Sequence, residues 1–95
     1  MQEIFLELRL VNPAQNRFRA FAAHLTTDLF GAVVLETVRG RIGTPGGQSV
    51  REVFPSFNVA ERRLAEHLKA REGALSRHGA RYDLFAWREL QNPAA

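Results

Sequence analysis

The sequence predicts an α+β domain: an antiparallel β-sheet of four to five strands with one long α-helix packed on one face. Three observations carry this expectation. Apolar and polar residues alternate through the first half of the chain, in runs separated by asparagine-, proline- and glycine-containing breaks. From about residue 56 the apolar spacing changes to that of an amphipathic helix. The chain has 95 residues, 45% of them apolar and 24% charged, which is enough for one core, so residues 1–95 are expected to form a single domain.

The elements follow in order. In EIFLELRLV (3–11), Ile4, Leu6, Leu8 and Leu10 share one side and Phe5, Glu7, Arg9 and Val11 the other, the pattern of a half-buried strand. NPAQN (12–16) breaks the strand with turn residues. RFRAFAAHL (17–25) alternates again, with Arg17, Arg19, Phe21, Ala23 and Leu25 opposite Phe18, Ala20, Ala22 and His24, and predicts a hairpin partner for the first strand. After TTDLFG (26–31), the β-branched run AVVLETVRGRIG (32–43) reads as a third strand with Val33, Leu35, Thr37, Arg39 and Arg41 facing one way. TPGG (44–47) fits a type II turn, and QSVREVF (48–54) is a fourth strand stopped by Pro55.

Ala60, Leu64, Leu68 and Leu75 then recur at helical spacing. Ser56 or Asn58 can cap this helix, Asn58 standing three residues before Glu61 at capping-box spacing. Gly73 weakens the last turns, and Gly79 is the expected stop. RYDLFAW (81–87) predicts a short final strand in which Trp87 is either a core anchor or an exposed stacking ring. QNPAA (91–95) is expected to fray.

Several chemistries are not supported. Without cysteine the chain has no disulfide, thiolate nucleophile or thiolate zinc site. His24, His67 and His78 fall in different elements without metal-ligand spacing, and are expected as a satisfied strand residue and two helix-surface residues; no metal or cofactor is expected. Ser49, Ser56 and Ser76 lack a glycine-flanked elbow, and most acids lie beside basic residues as in AERRLAEHLKARE, so no enzyme is expected. No run approaches the roughly 18 apolar residues of a membrane span. MQEIFLELRL has acids where a leader would be basic, so the expected location is cytoplasmic and no membrane partner is expected.

The net charge of +3 is unevenly placed. Residues 1–38 hold three basic against four acidic groups, whereas residues 39–95 hold ten against six. Twelve of the thirteen basic residues are arginine, whose planar fork suits phosphate oxygens. Arginine enrichment is also what a GC-rich coding sequence produces.

Spaced through the chain are Asn12-Pro13, Asn16-Arg17-Phe18, Asp28-Leu29-Phe30-Gly31, Gly40-Arg41-Ile42-Gly43, Gly47-Gln48 and Phe54-Pro55-Ser56. In this order the pattern resembles the WGR domain family over about residues 3 to 84. The resemblance implies a sheet-plus-helix binding module without catalysis. In poly(ADP-ribose) polymerases such modules bind nucleic acid near strand ends and contact neighbouring domains. The signature tryptophan, which the family can stack on a terminal sugar, corresponds to Arg39 here. Arg39, Gly40 and Arg41, with Arg51 from the next strand and Lys69 or Arg71 from the helix, are the expected nucleic-acid-binding residues. The alternative is a module for a protein partner, or a homodimer through an unpaired edge strand, in which these arginines are solvated.

Overall fold

The computed structural model describes residues 2–44 and 47–91, the last by its backbone alone. The centre of the expected turn at 44–47 and the tail from residue 92 lie outside them. Five strands make one antiparallel sheet in the order β4-β3-β2-β1-β5: β1 (Gln2–Asn12), β2 (Arg17–Thr27), β3 (Val33–Arg41), β4 (Gln48–Phe54) and β5 (Asp83–Gln91). Helix α1 (Phe57–Arg71) packs across β2, β3 and β4, giving the expected α+β architecture. A short helix, α2 (Ala74–His78), follows.

Local chemistry sets the connections. Asn16 takes the left-handed conformation (φ 52°) and closes a 3-10 turn by donating its N–H to the Pro13 carbonyl at 3.1 Å. The Asp28 carboxylate accepts the N–H groups of Phe30 and Ala32, both at 2.9 Å, and Gly31 supplies the positive φ the turn needs. Of the two candidate caps, Ser56 is the one used: its hydroxyl accepts the Val59 N–H at 3.3 Å, while Asn58 lies inside the first turn.

The helix is not continuous. It stops at Arg71 and resumes as α2 after Gly73, then ends at Gly79 in the left-handed region with its N–H on the Leu75 carbonyl at 3.0 Å. The break shifts the helical phase. Ala60 and Leu64 are buried and Leu68 packs against the core, but Leu75 is 48% exposed and Ala74 takes the buried place.

Register explains the core. Leu25 pairs with Leu35 and with Ile4, and Ala23 with Leu6, so these side chains share the face that α1 covers. With Phe21, Val33, Ala60 and Leu64 they form the buried cluster. β5 lies beyond β1, outside the reach of α1, and this leaves Trp87 opposite Leu6 but 53% exposed. Trp87 is therefore not a core anchor.

One glycine contact is architectural. A Cβ on Gly40 would stand 3.0 Å from the Gly47 Cα, and one on Gly47 would collide with the Arg39 carbonyl oxygen. Two bare backbones meet where the chain leaves β3 and enters β4. Because backbone cannot step aside as a flexible side chain does, Gly47→Ala is expected to cost about 1–3 kcal/mol, the range for overpacking. A shift of the urea midpoint checks this.

Candidate functional site: an arginine cleft

The covered face of the sheet changes character along its strands. On β2 the residues facing α1 run Leu25, Ala23, Phe21 and then Arg19 and Arg17; on β3 they run Val33, Leu35, Thr37 and then Arg39 and Arg41. Arg19 pairs with Arg41 and Phe21 with Arg39. The apolar part of each strand lies under the helix, and the arginines begin where α1 ends at Arg71. Period two and the length of the helix together place four guanidinium groups on one open shelf.

The end of α1, α2 and Tyr82 form the facing wall. Between shelf and wall lies a cleft of about 660 Å³ lined by Arg17, Arg19, Arg39, Arg41, Arg71 and Arg77, half of the chain's arginines. His78 and Tyr82 also line it, and none of its lining residues is acidic.

Neutral groups hold the arginines. Arg39 donates its Nε to Gln48 Oε1 at 2.8 Å. Arg41 gives Nη1 to the Asn16 carbonyl at 3.1 Å and Nη2 to Asn16 Oδ1 at 3.0 Å, with its guanidinium 5.0 Å from the Phe18 ring centroid. Arg17 reaches Gln15 at 3.1 Å and His78 Nδ1 at 2.9 Å. Arg77 caps the last turn of α1 through the Ala70 carbonyl at 2.7 Å. The contrast with other arginines is clear. Arg9, Arg51, Arg63 and Arg88 bridge Glu7, Glu36, Glu52 with Glu66, and Glu3, and none of these four lines the cleft. Acids thus neutralise four of the six arginines outside the cleft, and none lines the cleft where the other six gather.

Arg71 joins core to cleft. Its guanidinium stacks 3.5 Å from the Phe21 ring centroid and 5.9 Å from that of Tyr82, and Nη1 donates to the His67 carbonyl at 2.9 Å. Its Nε is buried without a protein acceptor among the described residues. Burial lowers its pKa from the ordinary arginine value; Tyr82 opposes this, and the charges of Arg39 and Arg77 add to it. Arg63, beside Glu66 and Glu52, is shifted upward instead. A positive field without a counter-ion is the electrostatic definition of an anion site.

The expected residues are only partly brought together. Arg39, Gly40, Arg41 and Arg71 line the cleft. Arg51 pairs with Glu36 across the strands on the opposite face of the sheet, 3.7 Å between charged atoms. Lys69 is exposed on α1 and does not line the cleft. Arg17, Arg19, Arg77 and His78 were not expected there. The signal for the first two was present, since they alternate in phase with Phe21 as Arg39 and Arg41 do with Leu35.

The histidines also differ from expectation. His67 is not on the free surface: its ring packs at 5.7 Å on Phe21, and Nε2 is 3.8 Å from Glu52, too long for a hydrogen bond. His78 lies in the cleft as Arg17's acceptor. Burial, then Arg63 and Arg71, lowers the His67 pKa against a smaller upward pull from Glu52; burial, then Arg19, Arg17 and Arg77, lowers that of His78. Both stay neutral in the folded chain at pH values where the unfolded chain, with its histidine pKa of about 6.5, takes up protons. Stability is thus expected to fall as pH drops through about 6.5 towards the lowered folded values. Thermal melts on either side of that pH measure it, and a His67→Gln/His78→Gln double variant should lose most of the dependence.

No family model, curated protein or solved structure matches the chain. Fold and site therefore define its class by themselves: a sheet-and-helix protein with a cationic, carboxylate-free cleft at the open end of its helix.

Proposed function

We propose that this chain is a non-catalytic nucleic-acid-binding module of WGR type, with the arginine cleft as its contact surface. One observation carries the reading: six arginines converge on one cleft without an acidic lining residue, five of them held by neutral acceptors, while five carboxylates pair with arginines elsewhere. Guanidinium groups fixed in this way keep their charge and offer donors in set directions, which suits the repeated phosphates of a nucleic-acid backbone. The sequence pattern from Asn12 to Ser56 supports the same reading. Fluorescence anisotropy of labelled DNA and RNA across a salt series tests it. Affinity should fall linearly on a log–log plot against salt, and absence of binding to every nucleic acid at low salt refutes it.

A second reading rests on the sheet edge. Leu84, Phe85, Trp87 and Leu90 of β5 are each more than half exposed, an apolar edge suited to a protein partner or a second copy of the chain. Concentration-dependent sedimentation that responds to Trp87→Ser would favour it.

A further inference from the structure

We infer that the cleft takes the sugar–phosphate backbone of a single strand at an internal position, without needing a strand end and without admitting a duplex. This rests on the nucleic-acid reading above and narrows it.

Shape comes first. Charge stands on both sides of the cleft, with Arg17, Arg19, Arg39 and Arg41 on the sheet and Arg71 and Arg77 on the helical wall. A volume of about 660 Å³ lies in the range of pockets that enclose ligands of small-molecule size, about 300–1,000 Å³. One flexible strand can enter and meet donors from both sides. A double helix, with a major groove alone about 12 Å wide, is a broad cylinder that would rest on the rim and leave the inner arginines unused.

The rings come second. Stacking on an unpaired nucleotide, at a strand end or elsewhere, uses an open aromatic face. Here the rings near the cleft are already occupied. Phe18 lies beneath the Arg41 guanidinium, Phe21 is buried under Arg71, and Tyr82 is partly buried against the core cluster. What the cleft presents is donors. Those groups bind phosphate oxygens, which occur at every internal position of a strand and do not require its end.

Arg39 shows how one such phosphate is held. Gln48 takes only its Nε, and the two terminal nitrogens have no other hydrogen-bond partner among the described residues. The side chain is thereby fixed at its stem with its fork open, ready to hold two oxygens of one phosphate. Arg41 is different: both of its terminal nitrogens are engaged by Asn16, so it contributes position and charge. The structure thus assigns the bidentate grip to Arg39 and a positioning role to Gln48.

The test compares an oligothymidylate in linear form, the same sequence closed covalently into a circle, its ribonucleotide counterpart and a blunt duplex. Circle and linear strand should bind within about two-fold of one another, and the duplex about ten-fold more weakly or less. Comparable binding of oligouridylate would show that the sugar–phosphate backbone itself is the ligand, and a preference for one sugar would assign the natural strand to RNA or DNA; either result supports the inference. Loss of binding on circularisation, or a duplex that binds as tightly as the single strand, overturns it while leaving the nucleic-acid reading in place. Absence of binding to all four overturns both. Arg39→Lys keeps the charge and loses the fork, so it should weaken single-strand binding about five- to ten-fold with the salt slope unchanged. Gln48→Ala should act in the same direction and less strongly. Arg39→Lys binding like the parent chain would overturn the grip assigned to Arg39.

Discussion

Replacing Arg39 and Arg41 together with alanine is expected to cut nucleic-acid affinity by on the order of 100-fold at moderate salt, since hydrogen bonds to charged groups are each worth about 1.5–3 kcal/mol. The salt slope should fall as well, by about 1.4 for a single strand if each arginine neutralises one phosphate. Stability should change in the opposite direction. Both side chains are exposed, without a carboxylate partner, and stand among four further arginines, so removing them relieves repulsion in the unliganded protein. A variant that binds worse and melts no lower would separate function from folding. An unchanged slope would mean that the phosphates sit elsewhere.

Phe21→Ala is expected to have the largest effect on folding. Phe21 is 1% exposed and among the bulkiest fully buried side chains, with the His67 ring and the Arg71 guanidinium both packed on it. Truncating a buried phenylalanine costs about 3–5 kcal/mol. For a domain of this size that is a large part of the total, about 5–15 kcal/mol. Arg71 would lose its stacking surface and keep a buried nitrogen without an acceptor. Both the urea midpoint and the cleft should suffer: binding should weaken even in conditions where the variant is still folded. A midpoint equivalent to less than 1 kcal/mol of destabilisation would show that the packing of His67 and Arg71 on Phe21 does not hold the core together.

Sequence reasoning reached the architecture because strand and helix periods are local. Ile4 to Leu10, Phe21 to Leu25 and Val33 to Thr37 show period two plainly, and Ser56 and Gly79 mark the helix ends. The interruption at Glu72–Gly73 was visible as a glycine, but its effect on phase was not, so Leu75 was expected inside and Ala74 was overlooked. The cleft depended on non-local facts. Arg17 and Arg19 reach Arg39 and Arg41 only through the β2–β3 register, which the length of the Asp28 turn decides. Arg51 missed the cleft by one step of strand parity, because it pairs with Glu36 rather than with Thr37 or Arg39. Lys69 missed it by about 200° of rotation around α1, two residues before Arg71. Residue type and charge were legible; the face on which each charge lands was not.

The position of β5 bears on how the protein is made. β1 is the second strand from the edge, held on one side by its hairpin neighbour and on the other by the segment synthesised last among the described residues. Until residues 83–91 leave the ribosome, the outer rim of β1 has no mate, and the nascent chain carries an open seam along nearly its whole first strand. Assembly can begin early with β2, β3 and α1, but the sheet is completed only when its two most distant segments meet.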